Sequence, residues 1–562
     1  MNRTESQFVF IGSGVAAVAL AERILSRAPD THILILEAGQ VYPAMDRRAW
    51  WDYVVTGKAV YWPAQDLKDE YSVSSNVNWD CSDNRLIAYG GSTLHWGGWS
   101  LRFKPEDFHL RENTGQGADW PFGYDELHDY YYEAEQYLGV CGDMSESWNH
   151  IRQAVQSSDP KVDRKEQPYP LPPFDWTEAD GEMIEAFQRL GIEPGKMPLA
   201  RYRKCMATGT CKYCPIGSRY TAQNALDDLR SRQNAATGEA LYPNLQVIDR
   251  AAVTRIVMRG KRIAAGVEYL KGDTLHQVHA ATVVVCAGAY ESPKLLMRSA
   301  TNHWPKGLGN AHDQLGRHLV SHSILRVRGL NAGNKECWLQ EYDFPTLMSR
   351  TYDTPEYQKF GKLFLFKNRK YPNFDLARQM SSGRPADRRK AAIEQGLRGP
   401  RIMELQAFLE EKGRFENYVT LTHESTRWNL PKTHVVFNRT STEIANAYSR
   451  VELLQQVIRE MGYEVTAAQV DNPGGHHATG TCRMSKSPRE GVTDADLKVH
   501  GTENLYVCSN AVFPTGAAVN PTLTLTAITM RLGDHLTAVA LHRPGIQSTG
   551  TRAKRSPRRP KS

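Results

Sequence analysis

The chain has 562 residues, 41% of them apolar, and a net charge of +7. Such a length exceeds one ordinary core, so two or more domains are expected, and no stretch approaches the apolar length of a membrane span. Part of the charge sits in the closing TRAKRSPRRPKS, which lacks apolar periodicity and reads as a disordered, solvated basic tail (546–562) rather than a nucleic-acid or membrane contact.

In chain order, QFVFIGSGVAAVALAERIL (7–25) predicts an apolar strand, a turn through Gly12 and Gly14, and an alanine- and leucine-rich helix. Ala17 stands at the third position of a GxGxxG/A fingerprint, whose glycines let backbone approach a pyrophosphate lying on the helix N-terminus. A second strand, THILILEAG, ends in Glu37, a carboxylate placed to accept hydrogen bonds from a ribose. A dinucleotide site follows, and FAD and NAD both remain open from this motif. The apolar start carries that fingerprint and no cleavage site, so it is not a secretory signal. The expected location is cytoplasmic, or periplasmic by co-export with a partner.

Residues 119–142, DWPFGYDELHDYYYEAEQYLGVCG, read as helical with aromatic residues of core type. RKCMATGTCKYCPIG (203–217) gathers Cys205, Cys211 and Cys214. The nine cysteines are an odd number with one local cluster, which does not resemble a disulfide framework. Structural zinc prefers four ligands, and residues 195–225 hold no histidine and only these three cysteines. Three thiolates suit an iron–sulfur cluster better. A Cys211–Cys214 redox pair and plain structural thiols remain open. ATVVVCAGAYESPKLLMRSA (281–300) predicts a buried strand, a turn and a helix. The region from about 330 to 460 gives mixed signals and is expected to wall the site, with a solvated stretch, RPADRRKAAIEQGLRGPR. ENLYVCSNAVFPTGAAVNPTLTLTAITM (503–530) predicts a strand, a loop and a helix starting near Asn520, Pro521 and Thr522, whose N-terminus could aim donors at a flavin.

Seven ordered segments, GSGVAA, LILEAG, YGGSTLHWGGWSLR, GAYESPKLL, LGRHLVSH, HHATGTCRM and AAVNPTLT, resemble the glucose-methanol-choline (GMC) oxidoreductases, a family of FAD-dependent alcohol oxidases and dehydrogenases, from about residue 7 to about 540. The resemblance implies an α/β fold: a Rossmann-like FAD-binding domain plus a substrate domain with an antiparallel sheet and helices. The implied boundaries are 1–100 (first FAD part), 101–200 (substrate or cap elements), 201–320 (second FAD part with the cysteine loop), 321–469 (substrate domain) and 470–545 (third FAD part with the catalytic loop).

The same resemblance assigns roles. His477, five residues before Cys482, is the catalytic base, a role suited to a side chain whose pKa lies near neutrality. Asn520 is its partner and orients the alcohol oxygen, so that hydride can leave for flavin N5. His476 lies behind them. Gly90, Gly91, Ser92, His95, Val253 (near the adenine), Asn510, Pro521 and Thr522 join Gly12, Gly14, Ala17 and Glu37 as cofactor contacts. His95 matches the histidine that carries the flavin covalently in pyranose oxidases. The cysteine stretch, ending CPIGSRY, resembles one that holds an iron–sulfur cluster in some bacterial sugar dehydrogenases. A small helper subunit or a cytochrome is then the implied electron acceptor. The expected reaction is oxidation of a hydroxyl of a sugar or sugar-like polyol by a dehydrogenase. The alternatives are a pyranose-oxidase-like enzyme that makes hydrogen peroxide and a lyase of the same fold.

Overall fold

The computed structural model describes residues 5–42, 71–79, 85–155, 164–202, 205, 214, 216–333, 342, 344–368, 401–426, 428–471 and 476–541. Cys211, the stretch 384–400 and the basic tail lie outside these residues.

The start of the chain folds as its pattern dictates. Strand Glu5–Ile11 is followed at once by helix Val15–Leu25 and then by strand Ile33–Leu36, whose four residues are all buried. The two strands pair in parallel, Phe8 with Ile33 and Ile11 with Leu36. Burial on both faces explains the continuous apolar run of the second strand. Strand Thr274–Val285 pairs in parallel on the other side of Glu5–Ile11. Leu245–Ile248 extends the sheet in parallel at one edge. Leu505–Val507 runs parallel to Val283–Val285. The N-terminal half of Thr274–Val285 turns instead into an antiparallel ladder with Ile263–Lys271, which pairs with Ala251–Arg259. The result is a seven-stranded sheet assembled from both ends and the middle of the chain. The C-terminal helix Thr522–Leu541 packs on Val15–Leu25. Their approach is close at Gly533, where a Cβ would lie 2.6 Å from the Arg23 side chain.

A second, six-stranded sheet is antiparallel throughout, in the order Glu464–Asp471, Ser323–Asn331, Arg401–Leu409, Leu363–Asn368, Leu347–Ser349, Gly195–Lys196. Alternation along its strands sorts side chains by face. Leu325, Val327, Leu363, Leu365, Leu405 and Ala407 form one cluster beneath helix Ser441–Glu460. Phe364, Phe366 and Phe408, one residue out of phase, belong to the other core, the one shared with the seven-stranded sheet. The second sheet therefore presents an aromatic face toward the nucleotide-binding half. A three-stranded sheet of Tyr418–Ser425, Pro431–Phe437 and Tyr71–Ser75 stands beside helix Gly288–Arg298. This α/β arrangement, one largely parallel sheet and one antiparallel sheet with helices, is the fold class expected from the sequence.

Candidate active site

The fingerprint turn forms the floor of a cavity of about 720 Å³. Gly12 sits at φ +100°, and a Cβ there would come within 2.8 Å of the Cys286 carbonyl oxygen, so only glycine fits between the two parallel strands. Gly14 has nothing within 4 Å of its Cβ position, which leaves open space at the N-terminus of helix Val15–Leu25. Glu37 is buried at the end of the second strand. It accepts hydrogen bonds from Ser13 N (2.9 Å), Ser13 Oγ (2.7 Å) and Gly39 N (2.8 Å). Burial pushes its pKa upward against the pull of those donors. It thus braces the turn as well as facing the cavity.

The cavity runs from this floor past Gly91, Ser92 and His95 on one side and Val253 on another, to Asn510, Asn520, Pro521 and Thr522 at the C-terminal helix. The short 3-10 helix Gly91–Leu94 presents His95 to it, with His95 N donating to Ser92 O at 3.3 Å. Two residues expected as contacts stand behind the wall. Ala17 is fully buried in the helix core. Gly90, at φ +94°, is held by close packing on Gln223, whose backbone nitrogen would lie 2.8 Å from a Cβ, and its own nitrogen donates to Ser13 Oγ.

At the far end His477 and Asn520 meet. Asn520 Nδ2 lies 2.9 Å from His477 Nε2. His477 Nδ1 lies 2.9 Å from His322 Nδ1. His322 Nε2 in turn lies 2.9 Å from the Ala517 carbonyl and 3.3 Å from that of Gly516. Phe408 stacks on His322, with ring centres 5.3 Å apart and an angle of 16°, and meets the His477 ring edge-on at 5.0 Å. His477 keeps partial exposure on its cavity side while protein encloses the rest. Burial holds its pKa well below the ordinary histidine value, and a positive charge on His322 or His476 would lower it further. His476, next to it, is exposed. Trp99 also lines the cavity and stacks on Phe408 at 5.7 Å.

His322, Phe408 and Trp99 went unmarked as site residues in the sequence. His322 is the last residue of LGRHLVSH and Trp99 lies within YGGSTLHWGGWSLR, two of the segments that carry the family resemblance. Phe408 lies in a region without any motif.

The residues present fit a bound dinucleotide with a flavin. Space stands at Gly14 where a pyrophosphate needs it, a buried carboxylate stands where a ribose would lie, and the Oδ1 atoms of Asn510 and Asn520 are buried without a hydrogen-bond partner among the described residues. Of the cysteine cluster, Cys205 and Cys214 are described, and Cys214 Sγ accepts from Ser218 N at 3.2 Å. Among the described residues no group of three histidine, cysteine, aspartate or glutamate side chains could hold a metal ion, so nothing there supports an iron–sulfur cluster.

Residues 178–324 match the N-terminal family model for GMC oxidoreductases, and residues 414–529 match the C-terminal one. The chain belongs to the GMC oxidoreductase family. It is accordingly an FAD-dependent oxidoreductase of CH–OH groups. The fructose dehydrogenase large subunit of Gluconobacter japonicus is 24% identical over 94% of this chain and 96% of its own length. Paromamine 6'-oxidase of Streptomyces fradiae is 24% identical over 93% of this chain and 90% of its own. The solved structure of pyridoxine 4-oxidase from Mesorbium loti superposes with a TM-score of 0.61 at 19% identity, covering 94% of this chain and 99% of that one, which places both on one fold. Like the sequence, the described residues contain no helix long and apolar enough to cross a membrane.

Proposed function

We propose that this GMC oxidoreductase oxidises a hydroxyl of a sugar or sugar-like polyol, with His477 as the base and Asn520 holding the substrate oxygen. One observation carries the reading. His477 Nε2 and Asn520 Nδ2 stand 2.9 Å apart on the wall of the same cavity whose floor is the fingerprint turn. An alcohol oxygen entering beside these two atoms would replace their mutual contact, giving its proton to Nε2 and accepting a hydrogen bond from Nδ2. His477 is suited to receive that proton, because its lowered pKa keeps it neutral at physiological pH. Bound FAD would supply the hydride acceptor that this chemistry needs. Gly12, Gly14 and Glu37 would hold its pyrophosphate and ribose. Gly91, Ser92, Val253, Asn510, Pro521 and Thr522 would hold the remainder, with His95 on the same wall as the side chain through which any covalent link would run.

The substrate class rests on two supports. Two relatives matched over nearly their full length are named for fructose and for paromamine. Aromatic side chains adjoin the polar pair: Trp96 and Trp99 line the cavity, and Phe408 lies behind Trp99 against His477. A flat apolar surface suits the C–H face of a sugar ring. A dehydrogenase is favoured because one relative matched over nearly its full length is named as the large subunit of a fructose dehydrogenase, which supports a helper subunit; that subunit or a cytochrome would then take the electrons. An oxidase that makes hydrogen peroxide is the second reading, supported by the paromamine 6'-oxidase match.

The test is anaerobic addition of a panel of sugars and polyols to flavin-loaded protein. Loss of the flavin absorbance is expected with at least one of them, whereas a lyase would leave the flavin oxidised. Re-admitting oxygen with a peroxide assay then separates the readings. Stoichiometric peroxide supports the oxidase, and slow reoxidation supports the dehydrogenase.

A further inference from the structure

We infer that His322 is a positioning residue that fixes the tautomer and orientation of His477, so that the Nε2 lone pair faces the substrate. The inference rests on the reading of His477 as the base. The chain of hydrogen bonds is read from its fixed end. The carbonyls of Ala517 and Gly516 can only accept, so the His322 Nε2 facing them at 2.9 and 3.3 Å carries a hydrogen. A neutral His322 then has its lone pair on Nδ1. His477 Nδ1, 2.9 Å away, must donate to it, which leaves His477 Nε2 without a hydrogen. The far end demands the same answer independently, because Asn520 Nδ2 can only donate and it points at His477 Nε2 from 2.9 Å. Only one arrangement of protons satisfies all of these contacts.

The protein spends strain on that fixed end. Ala517 is fully buried at φ +50°, a left-handed conformation that costs a non-glycine residue of order 1 kcal/mol or more. The bend it makes turns the two successive carbonyls toward one imidazole nitrogen. Phe408 holds the plane of His322 by stacking, and its edge-on contact with His477 keeps the second ring at 71° to the first. Burial lowers the pKa of His322 to about 4, consistent with the neutral form. Among the described residues, the other titratable group that bears on the pair is His476, and no described carboxylate contributes to the lowered pKa of either ring. The base is therefore oriented by a neutral acceptor, and its proton stays on His477. When His477 takes the hydroxyl proton on Nε2, its Nδ1–H remains donated to His322.

Two variants and a spectrum test this. In His322→Phe the Nδ1–H loses its acceptor. Flavin reduction by the substrate is expected to slow on the order of 100-fold, and the acid limb of its pH profile is expected to move to lower pH, because the imidazolium is no longer stabilised by a lone pair. In His322→Gln the amide oxygen can accept from His477 while the amide N–H serves the carbonyls, so the rate should return to within roughly tenfold of the parent. A residue that merely filled space would give no rescue by glutamine and no moved acid limb. Nitrogen NMR of the 15N-histidine-labelled holoenzyme should show His477 protonated on Nδ1 and bare on Nε2 near neutral pH. The opposite tautomer, or a phenylalanine variant with the parent's rate and pH profile, would overturn the inference. Flavin content reports whether the phenylalanine variant folds. If it does not, the glutamine variant and the spectrum decide. An inactive His477→Ala beside an unaltered His322→Phe removes only the role of His322, whereas a fully active His477→Ala removes the base itself.

Discussion

Single residues set both the cofactor seat and the proton chemistry. Gly12 combines a positive φ with a Cβ position 2.8 Å from a backbone oxygen, and backbone cannot step aside as a flexible side chain could. Gly12→Ala is therefore expected to retain less than about one-tenth of the parent's flavin, measured as the ratio of flavin to protein absorbance after purification. His318 offers a cleaner titration. It is buried, its Nε2 is 2.9 Å from Gln314 Oε1, and burial together with Arg483 and Arg317 lowers its pKa to about 3. A folded pKa below the unfolded value of about 6.5 means that the contribution is complete above pH 6.5. It is lost as pH falls from there toward the folded pKa, since the unfolded chain binds the proton first. At pH 5 the loss comes to about 2 kcal/mol. His318→Asn keeps a side chain that tolerates the local φ of +63°. Its melting temperature should fall less than the parent's between pH 7 and pH 5, and equal falls would refute the assignment. At this scale the sequence disclosed the residues that follow a spacing rule, such as Gly12, Gly14 and Glu37. It concealed His322, because the meaning of that residue arises only where a distant loop turns two carbonyls toward it.

Elements are tied together by buried charge as well as by apolar packing. Glu135, in helix His128–Leu138, is fully buried and accepts from Arg102 Nε (2.9 Å) and Nη2 (2.7 Å) and from Arg152 Nη1 (2.7 Å) and Nη2 (2.5 Å). Arg102 also donates to Tyr124 Oη and Gln167 Oε1. Three segments thereby meet on one carboxylate: the stretch leading on from Trp99, the aromatic helix, and the short helix Ser147–Arg152. The pair of cations holds the pKa of Glu135 down although burial alone would raise it. Removing one partner of such a group strands the rest in a low-dielectric interior. Glu135→Leu should cost about 3–5 kcal/mol in urea unfolding, and a change below 1 kcal/mol would show that the guanidinium groups find water instead. The helical pattern and the aromatic core of residues 119–142 could be read from the sequence. The buried glutamate could not, because Glu135 sits among exposed-looking acids and tyrosines, and its partners lie 33 and 17 positions away.

At the scale of the molecule, the site exists because two sheets of different construction face each other. The parallel half was legible from local rules: strand, glycine turn, helix, strand, each within a few residues of the next. The antiparallel half was not. Its strands pair across long separations, Ser323–Asn331 with both Arg401–Leu409 and Glu464–Asp471, and no short motif records such pairing. Its contribution beside the cavity, the aromatic face whose Phe408 backs His322 and His477, was accordingly expected only as an unassigned wall. His477 and Asn520 arrive from the loops of the first half and complete the constellation against that wall.

The most direct measurement is anaerobic stopped-flow reduction of the bound flavin by a sugar substrate, comparing parent and His477→Ala at equal flavin content. The parent should bleach its flavin within seconds, with the rate held to below pH 6.5 because the pKa of His477 is depressed. The variant should be slower by roughly 100- to 10,000-fold. Reduction of the variant at the parent's rate would contradict the assignment of His477 as the base, and a parent left oxidised by every sugar and polyol would contradict the proposed reaction.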